Sequence, residues 1–150
     1  MKALLRPLAL ACLLLLAPEA ISRAEPSAVE MWRSPGCSCC AKWAAHLRGA
    51  GYGVTIKDAA SGILAKIKRD AGIGEKLASC HTAHIGDYVV EGHVPVEDIQ
   101  RLLREKPDAI GLAMPGMPIG SPGMESGDTK EPYEVILMKK DGTSEVWARH

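Results

Sequence analysis

The chain has 150 residues, 47% hydrophobic and 24% charged, which excludes a wholly disordered polymer and fits one globular domain of ordinary size. Lysine plus arginine and aspartate plus glutamate both number 18, so there is no net basic field to hold nucleic acid or an anionic membrane surface.

Residues 1–24 have the pattern of an export signal. Lys2 and Arg6 form a positive start, Leu8–Ala17 is an apolar run of ten, and Ser22-Arg23-Ala24 offers small residues at the −3 and −1 positions of a cleavage site. Ten residues are too few to span a bilayer core of about 30 Å, which takes roughly 20. Cys12 lies inside the run with Leu13–Leu16 still to follow, whereas a lipid-acceptor cysteine should close it. Cleavage near Ala24–Glu25 and a soluble exported protein are therefore expected. The leader removes three basic residues and one acidic residue, leaving 15 and 17 over residues 25–150 and a net charge of about −2. Four cysteines remain: Cys37, Cys39, Cys40 and Cys80. A domain of this length can build a core without covalent staples.

Within 25–150, Ala28–Trp32 alternates weakly and reads as a strand, broken by Ser34-Pro35-Gly36. Ser38 to about Ala50 favours helix and is closed by Gly49 and Gly51. Gly53–Lys57 reads as a second strand, and Ile63, Leu64 and Ile67 mark a short helix stopped near Gly72 and Gly74. Thr82–Ile85 and Tyr88–Glu91 flank Gly86-Asp87 as a hairpin. Pro95–Arg104 is a helix with Ile99, Leu102 and Leu103 inward. A Gly/Pro/Met-rich loop is expected from about Gly111 to Gly127, and Val135–Lys139 with Ser144–Trp147 make a last hairpin around Asp141-Gly142. The order predicts an α/β thioredoxin-like sandwich, a central mixed sheet covered by helices, with the terminal hairpin as an addition. The long loop is functional or mobile on this reading.

Cys37-Ser38-Cys39-Cys40 follows a strand and opens a helix. The free N–H groups and dipole of a helix start favour an anion, so a thiol there should ionise readily. Cys80 is forty residues on but precedes the third strand, and in a thioredoxin-like fold that entry lies against the start of the first helix. All four sulfurs should then converge. Cys37 and Cys40 have the spacing of a dithiol redox pair, which leaves Cys39 surplus. Zinc prefers ligands spaced on two knuckles, which adjacent Cys39 and Cys40 fit poorly. Soft Cu(I) accepts crowded, bridging thiolates. Two structural disulfides are the remaining alternative, although neighbours Cys39 and Cys40 would hardly pair with each other.

Cys37-Ser38-Cys39-Cys40, Cys80-His81-Thr82, Gly86–Pro95 and Gly116–Glu125 together resemble CopG-type periplasmic copper-resistance proteins. The resemblance covers nearly all of residues 25–150 and rests on four separated motifs in order. It implies a thioredoxin-like fold, a periplasmic location, and copper bound as a multinuclear Cu(I) cluster by Cys37, Cys39, Cys40 and Cys80. It also implies copper resistance through copper ions and other periplasmic copper-handling proteins as partners, and a copper oxidoreductase role interconverting Cu(I) and Cu(II). Met114 departs from the small branched aliphatic more usual in the family.

Met114, Met117 and Met124 add soft thioethers to the loop, as ligands, as a lid or layer behind the ligands, as an entry port, or as side chains that pack it down. Among the histidines, His81 is the best candidate for a ligand or proton carrier because it adjoins Cys80. His84 and His93 are expected in hydrogen-bonding roles, His46 on the surface, and Trp32, Trp43 and Trp147 in the core. Glu97 and Asp98 complement the dipole of the third helix. No nucleophile elbow, phosphate loop or paired-carboxylate pattern is present.

Overall fold

The computed structural model describes residues 28–150, so the expected leader over 1–24, Cys12 included, lies outside the described residues. Strand β1 (Val29–Arg33) passes through a Pro-Gly turn into α1 (Ser38–Gly49), followed by β2 (Val54–Asp58) and α2 (Ser61–Asp70). A single 3₁₀ turn at Glu75–Leu77 leads to β3 (His81–Ile85) and β4 (Tyr88–Glu91). Helix α3 (Val96–Glu105), β5 (Ala109–Ala113), β6 (Glu134–Lys139) and β7 (Ser144–Arg149) complete the chain. The strands form one mixed sheet in the order β2-β1-β3-β4-β5-β6-β7. β1–β2 and β4–β5 are parallel, and the other neighbours are antiparallel. This is the α/β class expected. The terminal hairpin β6–β7 is continuous with the sheet, since β6 pairs with β5.

Alternation along the strands divides the apolar residues between two faces. On one, Met31, Ile85, Val90, Leu112 and Leu137 meet Trp43 and Leu47 of α1 and Ile99 and Leu102 of α3. Each such fully buried side chain contributes roughly 1.5–3 kcal/mol of transfer free energy. On the other face, Val89, Ala113 and Met138 pack on Ile73, with Ala71 and Leu77 beside it. Of the three tryptophans only Trp43 is fully buried. Trp32 is half-buried, edge-on to His84 at 5.3 Å with Lys57 at 4.9 Å, and Trp147 lies under the Arg101 guanidinium at 3.9 Å.

One expectation is overturned. Ala109–Ala113 is a strand between β4 and β6, not the beginning of a loop. Gly111 resembles a breaker in the sequence, yet it is what lets the strand fit. At φ +153, a Cβ on it would stand 1.8 Å from the Val89 carbonyl oxygen. A bulge between Ala109 and Gly111 lets Ala109 and Leu112, three apart, share one core. The irregular segment that follows runs from 114 to 133. Gly111→Ala should therefore remove about 3 kcal/mol or more of stability in urea unfolding, and an unchanged midpoint would contradict the close approach.

Candidate metal centre

β1 and β3 are antiparallel with Arg33 opposite His81, so β1 ends where β3 begins. The turn after Arg33 and the residue before His81 thus emerge at the same edge of the sheet. Arg33 ties this corner together: its Nη1 donates to the Cys37 carbonyl at 2.7 Å and its Nε to Asp58 Oδ1 at 2.9 Å. Cys37 is the N-cap of α1, where its Sγ accepts the Cys40 N–H at 3.3 Å, the role an oxygen side chain usually fills.

The four sulfurs expected to converge do so, all within 4.8 Å of one another. Cys37 and Cys40 are joined as a disulfide, and Cys39 and Cys80 are free. Cys39 Sγ lies 3.4 Å from Cys37 Sγ, and Cys80 Sγ lies 3.6 Å from Cys40 Sγ. Cys40 is buried and the other three are half-buried, so the group sits at the border between core and solvent. Cys80 does not behave as the helix-end argument predicts for its neighbours. It stands outside the helix start, and burial, with Cys39 next to it, pushes its thiol up to about 12. A soft metal ion would have to displace that proton on binding.

Two imidazoles flank Cys80, and with it they form a second convergent donor set. His93 Nε2 is 3.0 Å from Cys80 Sγ, and its Nδ1 is 2.8 Å from the Pro122 carbonyl. A carbonyl only accepts, so Nδ1 carries the hydrogen and Nε2 presents its lone pair to the sulfur. His93 was expected in a hydrogen-bonding role; it has one, and it faces the thiol as well. His81 Nδ1 is 3.4 Å from Cys80 Sγ, its ring lies against Trp43 at 4.4 Å, and its Nε2 is buried without a hydrogen-bond partner. Burial holds His81 well below the usual imidazole range, reinforced by His93 and Lys68, and burial also lowers His93. Both rings are neutral at neutral pH, the form that can bind a metal.

A buried polar group fixes the Cys80 segment from below. Glu91 on β4 is fully buried, accepts the Ser79 N–H and Lys68 Nζ on Oε1, each at 2.5 Å, and accepts Thr82 Oγ1 on Oε2 at 2.6 Å. Burial raises its carboxyl, while Lys68 and the three donors pull the other way. No local pattern marks this pair, because Lys68 and Glu91 are brought together only by the packing of α2 on the sheet.

The 114–133 segment roofs the site with backbone. At Gly123 (φ +89), a Cβ would lie 2.7 Å from the Cys39 carbonyl oxygen and 2.8 Å from the Trp43 nitrogen. The roof is also tied by Ser79 Oγ donating to the Gly116 carbonyl at 2.7 Å and by His46 Nε2 meeting Glu125 Oε1 at 2.7 Å. Met114 is fully buried, Met124 half-buried, and Met117 50% exposed, so the three thioethers have different environments. His84 is exposed beside Trp32, and His46 is on the surface as expected. Asp98 does more than complement the helix dipole: it is buried and pairs with His150 Nε2 at 2.7 Å.

His81 makes the metal-free protein acid-sensitive. The unfolded chain takes up a proton near pH 6.5 that the buried ring resists, so the unfolded state binds more protons below that pH. This contribution is present above about pH 6.5 and is lost on acidification at up to about 1.4 kcal/mol per pH unit. Urea unfolding between neutral and mildly acidic pH should show this slope, and His81→Leu should flatten it; an unaltered slope would contradict the assignment.

The family model described as "Protein of unknown function, DUF411" matches residues 77–124, which span Cys80, both flanking histidines and the first part of the roof. No curated protein matches the chain. Two solved structures, titled "Copper resistance protein copG", forms 2 and 1, are similar throughout the described fold. The first is 40% identical, with a TM-score of 0.78, over 84% of this chain and 99% of that one. The second is 41% identical with the same TM-score, over 84% of this chain and 98% of that one. At that identity and coverage, the chain belongs to the CopG copper-resistance protein family.

Proposed function

We propose that the protein binds copper as cargo, holding Cu(I) in a multinuclear thiolate cluster built on Cys37, Cys39, Cys40 and Cys80. The observation that carries this reading is the convergence of four sulfurs within 4.8 Å, two of them contributed by adjacent residues. Such crowding suits bridging thiolates around a soft, low-coordinate ion and is awkward for one tetrahedral zinc. The neutral rings of His81 and His93 add borderline donors beside Cys80, which suits copper in either oxidation state. Copper resistance in the titles of the two similar structures supports the same cargo. The two kinds of partner expected, copper ions and other periplasmic copper-handling proteins, follow from that reading.

On the same reading residues 1–24 are a cleaved export signal, and residues 25–150 are one thioredoxin-like domain working in the periplasm. The order β2-β1-β3-β4, with a cysteine pair at the start of α1, supports that fold assignment. Among the described residues no helix is long and apolar enough to cross a membrane. A second reading, thiol–disulfide exchange by Cys37 and Cys40, is favoured by the disulfide that joins them. It needs neither Cys39 nor Cys80.

Anaerobic Cu(I) titration of the reduced protein against a calibrated chelator separates the two. The cluster predicts more than one Cu(I) per chain, with Cys39→Ser and Cys80→Ser each losing at least about one ion. A single zinc-like ion, or no uptake with rapid metal-free disulfide exchange, would contradict it.

A further inference from the structure

Of the four sulfurs, Cys80 alone comes from outside the start of α1, and it precedes β3 instead of lying in it. What holds it in place reaches across from the other side of the sheet. Ala83 and Ile85 of β3 join the apolar layer under α1, so Thr82 points the other way, towards α2. Glu91 stands directly opposite Thr82 on β4 and shares that face, and both are fully buried. Lys68 reaches them from α2, donating to Glu91 Oε1 at 2.5 Å and to Thr82 Oγ1 at 3.0 Å. The same carboxylate accepts the Ser79 N–H on Oε1 at 2.5 Å and the Thr82 hydroxyl on Oε2 at 2.6 Å. Its two oxygens grip the chain on both sides of Cys80 and His81.

From this arrangement we propose that Glu91, oriented by Lys68, is a positioning residue for metal binding: through the Ser79 N–H it fixes Cys80 Sγ among the other three sulfurs. The proposal rests on the copper-binding reading and names what completes the donor set. Strand pairing does not reach this far. β3 begins at His81, whose carbonyl takes the Gly92 N–H at 3.0 Å, and Ser79 lies beyond the strand, its N–H taken by a side chain. Ser79 passes the constraint on, since its hydroxyl donates to the Gly116 carbonyl of the roof at 2.7 Å. One carboxylate on the α2 face thus sets both a wall and a tether of the sulfur site.

Stability does not account for the arrangement. A buried ion pair is often no more stabilising than an apolar pair of similar volume. An apolar pair, however, offers no acceptor to the Ser79 N–H. Position and stability can therefore be separated by substitution.

Lys68→Met/Glu91→Leu removes both charges together, and the acceptor with them. Glu91→Gln keeps the shape, leaving Oε1 to accept from Ser79 and Lys68 and Nε2 to donate to Thr82 Oγ1. Each variant is read by its urea midpoint, by the alkylation rates of Cys80 and Cys39 in the reduced metal-free protein, and by Cu(I) titration. The double variant should keep a midpoint near that of the parent, because no charge is left unpaired. Its Cys80 should alkylate about fivefold faster or more, with Cys39 unchanged, and it should lose about one Cu(I). Glu91→Gln should unfold at lower urea, since Lys68 loses its charged partner, yet keep the parent's Cys80 rate and copper count. A folded double variant whose Cys80 alkylates at the parent rate would overturn the proposal, as would Cys39 accelerating equally. So would a Cys80 rate in Glu91→Gln that rises as stability falls, the result that decides the matter if the double variant does not fold. Alkylation is read without metal, so a parent protein that takes up no Cu(I) rejects the copper reading while the positioning of Cys80 is still decided.

Discussion

The antiparallel register of β1 and β3 is the constraint on which the site depends. Arg33 stands opposite His81, so the turn that carries three cysteines and the residue that precedes β3 leave the sheet at one edge. A slip of one residue would turn every side chain of β3 to the other face, sending His81 and Ala83 away from Trp43 and the apolar layer under α1. The apolar alternation of Met31, Ala83 and Ile85 enforces the register, so the burial that stabilises the sheet also delivers Cys80 to the start of α1. Local chemistry refines the position. Arg33 holds the Cys37 carbonyl, and the buried Glu91 carboxylate holds the Ser79 nitrogen. Removing one partner of a buried pair such as Glu91 and Lys68 typically costs about 3–5 kcal/mol, so this anchor is stiff in use although weak as a net source of stability.

Around that corner the molecule separates a soft, partly enclosed sulfur site from bulk water without sealing it. The roof is backbone laid on backbone at Gly123, which permits an approach that any side chain would block. Neutral imidazoles and a protonated Cys80 border the sulfurs, so on the proposed function an ion bound there would displace the Cys80 proton instead of meeting a preformed thiolate at that position. His93 links roof and site directly, one ring nitrogen on the Pro122 carbonyl and the other on Cys80. Movement of the Pro122 segment would therefore be felt at a sulfur, as expected of the outer partners that orient metal ligands.

Much of this was legible in the chain. The break at Ser34-Pro35-Gly36, the helix-forming run after Ser38 and the Gly86-Asp87 turn located α1 and the β3–β4 hairpin because each is a local signal. Convergence of Cys80 with the other sulfurs followed once the element order suggested the sheet. β5 was missed because Gly111 and the Gly/Pro/Met run after it look like loop, whereas the glycine serves a close strand approach that only neighbouring Val89 explains. The double contact of His93 and the Lys68–Glu91 anchor depend on residues 29 and 23 positions away, and no local pattern announces such pairs. His93 had one available signal, its place three residues before a helix in a segment that returns past Cys80, but that signal does not distinguish a structural histidine from one facing the thiol.

The central claim is that four sulfurs, gathered by one strand register, share soft metal ions. Copper-edge X-ray absorption on the anaerobically Cu(I)-loaded protein tests it most directly, because it reads the atoms around the metal. The account predicts a first shell dominated by sulfur, with a second copper close by as bridging thiolates require. Copper surrounded only by nitrogen and oxygen, or by sulfur with no copper neighbour, would contradict it.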